Sequence, residues 1–451
     1  MDARTQPGRS RPNAEELAAA TPSTRNRYVD LLRFVSIALV VLGHWLLAVL
    51  GFREGEFTGE NLLELSPDLQ IATWVFQVMP VFFLVGGYTN ALSWESAMRR
   101  GETYGDWLRA RATRLLRPAL VFVAFWTVLP MLAVAVALPS SIALVGGREV
   151  SLPLWFLSVY VLVVAAAPAL LVAHRRFGVG VVVTLVVATL ATDVGRYGLD
   201  QGWISLANYL FVWLAILELG FQWRDGMLTR ERWLPWAMLG GGLALAIALV
   251  SWFDYPVAMI NLSHANRSNA FPPSLALLAI GIAQTGLVLM LQDAANRWLR
   301  RPRVWYATAT ANSMIMTFYL WNMSAVVLAA VLVFPTGIAP QPEPLSAVWW
   351  LLRPAWVALC AVCLLPFLFA FRWAERPVPL TMGRVHGAVA LVGNVLAAAG
   401  LAIIADQAFP VQGEQLLWPT IGVACVVAGA ILLRVDPIAP LRRRADPGVV
   451  G

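Results

Sequence analysis

The chain has 451 residues, 59% of them hydrophobic and only 13% charged, with a formal net charge of +7. Runs of about 20 apolar residues between charged breaks exclude a soluble globule and mark a polytopic membrane protein. All the basic residues are arginine and they lie between apolar spans, so loop placement, not nucleic-acid binding, accounts for the charge.

Residues 1–26 are polar and lack an apolar core, so a disordered cytoplasmic tail is expected rather than a cleavable signal peptide. About 12 membrane-spanning helices follow, expected over residues 31–51, 71–94, 119–138, 152–173, 179–192, 204–222, 234–253, 274–291, 312–333, 348–371, 388–404 and 417–433. The fold class is thus an all-α helical bundle; the spans are too long and continuous for barrel strands. The connections alternate. TRNR, RRGETYGDWLRARATRLLRP, HRRF, WRDGMLTRER, NRWLRRPR, FRWAERP and LRRR are basic, and those between them are acidic, polar or proline-rich. Both termini are therefore expected in the cytoplasm, with the chain multi-pass in the plasma membrane.

The first span carries Asp30, Arg33 and His44. Asp30 and Arg33 are neighbours on a helix surface. Arg33 and His44 are eleven positions apart, about three turns and about 16 Å, so both leave one face. A histidine near mid-membrane is costly unless it faces a polar interior, and it reads as functional; packing against a neighbouring helix is the plainer alternative. In the second span Gln77, Tyr88 and Asn90 are candidates to line a polar cavity beside His44, and Gly86-Gly87 permits close helix approach. In the basic loop that follows, Arg111 and Arg114 offer forks for phosphate, although orientation alone also explains a basic loop. Trp155 opens the fourth span as an interfacial anchor or a substrate platform. Glu218 is a candidate proton acceptor or arginine partner. Cys360, Cys363 and Cys425 lie inside apolar runs and read as buried packing. His174, His264 and His386 fall in connecting segments, and no metal-ligand spacing, nucleotide loop or nucleophile elbow is present.

Arg33-x10-His44, with Asp30 and Leu31 ahead of it, resembles the first helix of the acyltransferase-3 family of integral-membrane enzymes. Phe82, Phe83, Gly87 and Tyr88 resemble its Phe-Phe-x-x-Ser-Gly-Tyr segment, with Gly86 in place of the serine. Arg111, Arg114 and Pro118 resemble its Arg-x-x-Arg-x-x-x-Pro, and Trp155-Phe156-Leu157 a further segment. Tyr319-Leu320-Trp321-Asn322 resembles Tyr-Leu-Trp-His with asparagine in place of histidine, and Glu375-Arg376-Pro377 resembles the closing motif. The resemblance implies a membrane domain over 27–377 with a core of about ten helices, two additional helices over 378–434 and a basic cytoplasmic tail over 435–451. It implies transfer of an acyl group from acyl-CoA, as substrate rather than bound cofactor, to a hydroxyl of a glycan, glycolipid or metabolite. His44, Arg33 and Asp30 would be catalytic, and Arg111, Arg114, Tyr88, Trp155 and Asn322 would bind substrate. With asparagine in the ninth span, His44 alone is expected to carry the proton chemistry, and loss of the Asn322 side chain is expected to be tolerated. Glu375 is expected to pair with a loop arginine. No metal is implied, and the partners are substrates and membrane lipids. The competing class is a transporter or exporter of a lipid-linked or small polar molecule, which many spans and a buried histidine also fit; no internal repeat supports it.

Overall fold

The computed structural model describes residues 14–22, 25–135, 140–199, 201–262, 267–378, 383–409 and 416–445; the start of the tail, His264 and the last residues lie outside these. The main helices are α1 (Arg27–Leu47), α2 (Met79–Arg99), α3 (Tyr104–Ala135), α4 (Leu154–Phe177), α5 (Val179–Gly198), α6 (Asn208–Arg224), α7 (Leu234–Trp252), α8 (Leu275–Trp298), α9 (Ile315–Val333), α10 (Ala347–Phe371), α11 (Gly387–Gln407) and α12 (Leu417–Leu432). Among the described residues, 11 helices are long and apolar enough to cross a membrane. The twelfth expected span is α12, whose 16 residues fall short of the roughly 20 that a crossing needs.

Helix ends are set by local side chains. The Asn26 side chain accepts from the backbone N–H groups of Tyr28 and Val29 at the start of α1, and Ser274, Ser346 and His386 cap α8, α10 and α11 in the same way. At its far end α1 stops at Leu47, short of the expected residue 51. The chain continues as an antiparallel hairpin, β1 (Ala48–Arg53) and β2 (Glu56–Asn61). Its two-residue turn, Glu54-Gly55, has positive φ at both positions, as a type I′ turn requires. The residues around His44 bond to Asn322, seven residues into α9, and to Trp356, nine residues into α10. At 1.5 Å per residue those levels are about 11 and 14 Å inside the neighbouring helices. Helix α1 thus ends at mid-bundle. A hairpin at that depth is permitted because its strands pair with each other and line a cavity.

The basic stretch expected to be a loop is helical from Tyr104. Trp107, Leu108, Ala112, Leu116 and Ala119 bury one face of α3, and this 3.6-residue periodicity carries the helix straight through Pro118. Helices α2 and α6 meet at glycines. A Cβ on Gly87 would lie 2.0 Å from the Leu217 carbonyl oxygen, so only glycine permits this approach. Helix α11 joins the core: Asn394 Nδ2 donates to the Val161 carbonyl at 2.9 Å and Ser158 Oγ to that of Ala398 at 2.7 Å. Helix Ala14–Ala20 packs on helix Pro302–Asn312, and Arg25 and Arg27 lie 5.2 and 4.9 Å over the Trp305 ring.

Candidate active site

His44 sits in the last turn of α1 against α9. Its Nδ1 is 3.0 Å from Asn322 Oδ1. The Asn322 amide nitrogen donates to the Tyr319 carbonyl. A carbonyl only accepts, so Nδ2 must face Tyr319 and Oδ1 must face the imidazole. Nδ1 therefore carries the proton of the neutral ring, which leaves Nε2 with its lone pair free to take a proton. Asn322 is fully buried, and its backbone carbonyl accepts from Trp45 Nε1 at 3.1 Å. The residue that looks in sequence like a lost histidine is the partner that sets the His44 tautomer.

About 16 Å along the same helix face lies Arg33, half-buried and 3.6 Å from Asp30. Asp30 is held more tightly by Arg25, at 2.7 Å, and its own backbone carbonyl accepts from Asn312. Arg111 donates to Asn90 Oδ1 at 2.6 Å, and the charges of Arg33 and Arg114 both act on it. Arg114 is exposed. These three arginines, from α1 and α3, face one region near the arginine-rich end of the bundle. The neighbouring Arg109 and Arg117 are structural, donating to the Gly383 and Arg376 carbonyls.

Several expected placements differ. Gln77 is held by the backbone, donating to the Met259 carbonyl. The Tyr88 hydroxyl accepts from Asn26 at the start of α1, and its ring packs on Trp223, at the arginine end. Trp155 packs edge-on against Phe271, centroids 4.7 Å apart, at the opposite end of the bundle from the arginines. A Cβ on Gly86 would lie 3.2 Å from the Tyr160 hydroxyl oxygen, so tyrosine occupies the space beside the missing serine. Among the described residues Glu375 pairs with no arginine. Its carboxylate accepts from the Met316 and Thr317 backbone N–H groups and the Thr317 hydroxyl, holding the positive end of α9. That helix brings Asn322 to His44, so Glu375 positions the site from the far side of the bundle.

Of the two roles expected for Glu218, proton acceptor or arginine partner, the described residues show no arginine partner but a histidine. Glu218 is fully buried against His174 Nδ1 at 2.5 Å, and His174 Nε2 is 3.0 Å from Asp225. Burial raises the Asp225 carboxyl, but the bonds to His174 and Arg224 outweigh it and hold this carboxyl below the ordinary range. Cys360 and Cys363 are buried in the core.

The geometry therefore joins a mid-bundle histidine whose Nε2 is unengaged among the described residues to a basic cluster at one end. No curated protein and no solved structure is similar enough to this chain to count as a match. A family model described as an acyltransferase domain matches residues 26–373, the stretch that holds Asp30, Arg33, His44, Arg111, Arg114 and Asn322, and the chain belongs to the acyltransferase-3 family.

Proposed function

We propose that this acyltransferase moves an acyl group from a coenzyme A thioester to an acceptor hydroxyl, with His44 as the base. The observation that carries the reading is the Asn322 contact, which leaves His44 Nε2 as the basic nitrogen. Arg111, Arg114 and Arg33 would grip the donor's phosphates by charge-assisted bonds. The distance from there to His44 is one that an extended pantetheine arm can bridge. Nε2 takes the proton as the acceptor oxygen attacks the thioester carbonyl. The carbon–sulfur bond then breaks, and the thiolate leaves with the proton that His44 returns. A covalent variant has Nε2 attack first, giving an acyl-imidazole that the hydroxyl then opens. Asp30 steadies Arg33 in either case.

The test uses purified protein in nanodiscs, acyl-CoA and an acceptor, with release of free thiol as readout. His44→Ala should lower the rate about 100- to 10,000-fold, and Arg111→Gln should raise KM for the donor. A wild-type rate from well-folded His44→Ala would remove the reading.

A further inference from the structure

At the end of the bundle opposite the arginine cluster lies a cavity of about 760 Å³, within the size range of small-molecule sites. It occupies the space left where α1 ends early. The hairpin, the last turn of α9 and the first half of α10 form its walls. The apolar part of the lining includes Leu50, Phe334, Leu352 and Leu359, and polar groups such as Thr58, Glu60, Gln341 and Glu343 stand nearer the exposed surface.

Arg353 lines this cavity and is only 7% exposed. Its guanidinium lies 3.6 Å over the Trp349 ring, and one NH2 group donates to the Ala48 carbonyl at 3.2 Å. Among the described residues no carboxylate lies within 4.0 Å of it, and its Nε has no partner. Holding the carbonyl just past the end of α1 uses one donor of five. Burying the remaining charge without a counter-ion is costly, and an anion in the cavity would supply one. The cavity is tied to the candidate base. Trp356, which also lines it, donates to the Trp45 carbonyl at 3.2 Å, and Trp45 donates to Asn322, the partner of His44.

We propose that this cavity is the acceptor site, and that it takes a hydroxyl compound bearing a phosphate or carboxylate, seated on Arg353. The two substrates then approach His44 from opposite ends, the donor past Arg111 and the acceptor past Arg353. Calling the ligand the acceptor rests on the proposed transfer; the anion site itself does not. The anionic group can belong to a soluble sugar derivative or to a membrane lipid, and the two are separated by experiment.

The full chain is placed in phosphatidylcholine nanodiscs and titrated calorimetrically with glucose 6-phosphate and glucuronate, with glucose as the neutral control. In a second arm the detergent-purified protein is offered mixed phosphatidylcholine and phosphatidylglycerol, and native mass spectrometry reads the retained lipid. Saturable binding of either sugar anion identifies a soluble ligand; selective phosphatidylglycerol retention identifies a lipid. Arg353→Gln should weaken whichever is seen roughly ten- to a hundredfold, the range for a lost charged hydrogen bond, and Arg353→Lys should restore part of it. Leu359→Trp keeps the arginine, fills the cavity and should also lose the anion. His44→Ala should bind as wild type. Anion binding that survives both Arg353→Gln and Leu359→Trp, or that is absent from both arms, overturns the site. Binding that depends on Arg353 in a protein whose His44→Ala variant still transfers acyl groups would retain the site and overturn the proposed chemistry instead.

Discussion

Asn322 changes meaning between sequence and structure. Aligned with a motif that ends in histidine, it looks like a position that has lost its proton chemistry. Placed in the bundle, it fixes which nitrogen of His44 is basic. The expectation that its side chain is dispensable therefore gives way to a definite cost. Asn322→Ala leaves the Nδ1–H without an acceptor and the ring free to turn, and a buried unsatisfied donor costs about 1–3 kcal/mol. If part of that falls on the transition state, kcat should drop roughly tenfold or more, each 1.36 kcal/mol being a factor of ten, while KM for acyl-CoA stays near wild type. Steady-state kinetics with the donor varied would check this; an unchanged kcat would show that the ring is oriented by something else. Glu375 and Arg353 belong to the same scale. Each is a charged residue whose partner, a helix N-terminus or an early helix end, no sequence window contains.

The helices place these side chains, and two departures from the expected pattern matter. Helix α3 extends through the basic stretch, so Arg111 and Arg114 are carried on a rigid element anchored by buried Trp107 and Leu108. Helix α1 stops early, which leaves room for the cavity that Arg353 lines. Helix α2 carries Asn90, the partner of Arg111, and its closeness to α6 depends on Gly87. Gly87→Ala would press a methyl group into the Leu217 carbonyl; overpacking of this kind costs about 1–3 kcal/mol, and with backbone as the obstacle the upper end is expected. Gly43 has open space around its Cβ position, and Gly43→Ala should stabilise by roughly 0.5–1 kcal/mol. Thermal unfolding in one detergent compares the pair. Equal midpoints would refute the assigned role of the α2–α6 contact.

Across the whole molecule, α12, although short, packs antiparallel on α11, Gly393 against Leu432 and Gly400 against Gly422, so α12 ends on the side where α11 begins. The arginine-rich connections lie on that side and the β-hairpin on the other. Arginine in short loops marks the cytoplasmic side of a membrane, so both termini should be cytoplasmic and the Arg353 cavity should face outward. Reporter fusions after residue 445 that are active only outside the cytoplasm would contradict this and would reverse the two substrate routes. The helices beyond the matched stretch are not a loose appendage. Because α11 bonds to the α4 backbone through Asn394 and Ser158, it forms part of the same packed body.

What the sequence determined by itself follows from local physics. A run of apolar residues must become a helix in lipid, because no other single segment satisfies its own backbone there. Arginine placement predicts the side on which each helix begins, and the eleven-position step from Arg33 to His44 sets their shared face. Even the α3 extension was legible, in the buried Trp107, Leu108, Ala112 and Leu116 pattern inside a stretch whose charge suggested a loop. Tertiary structure decided the rest. Whether α1 ends at Leu47 depends on the hairpin that replaces its last turn and on an arginine from α10, more than 300 residues away. Which nitrogen of His44 is basic depends on α9, and α9 is positioned by a glutamate that follows α10. These are contacts between segments far apart in the chain, and their energies come from desolvation and hydrogen bonding inside the bundle, which spacing along one helix cannot encode.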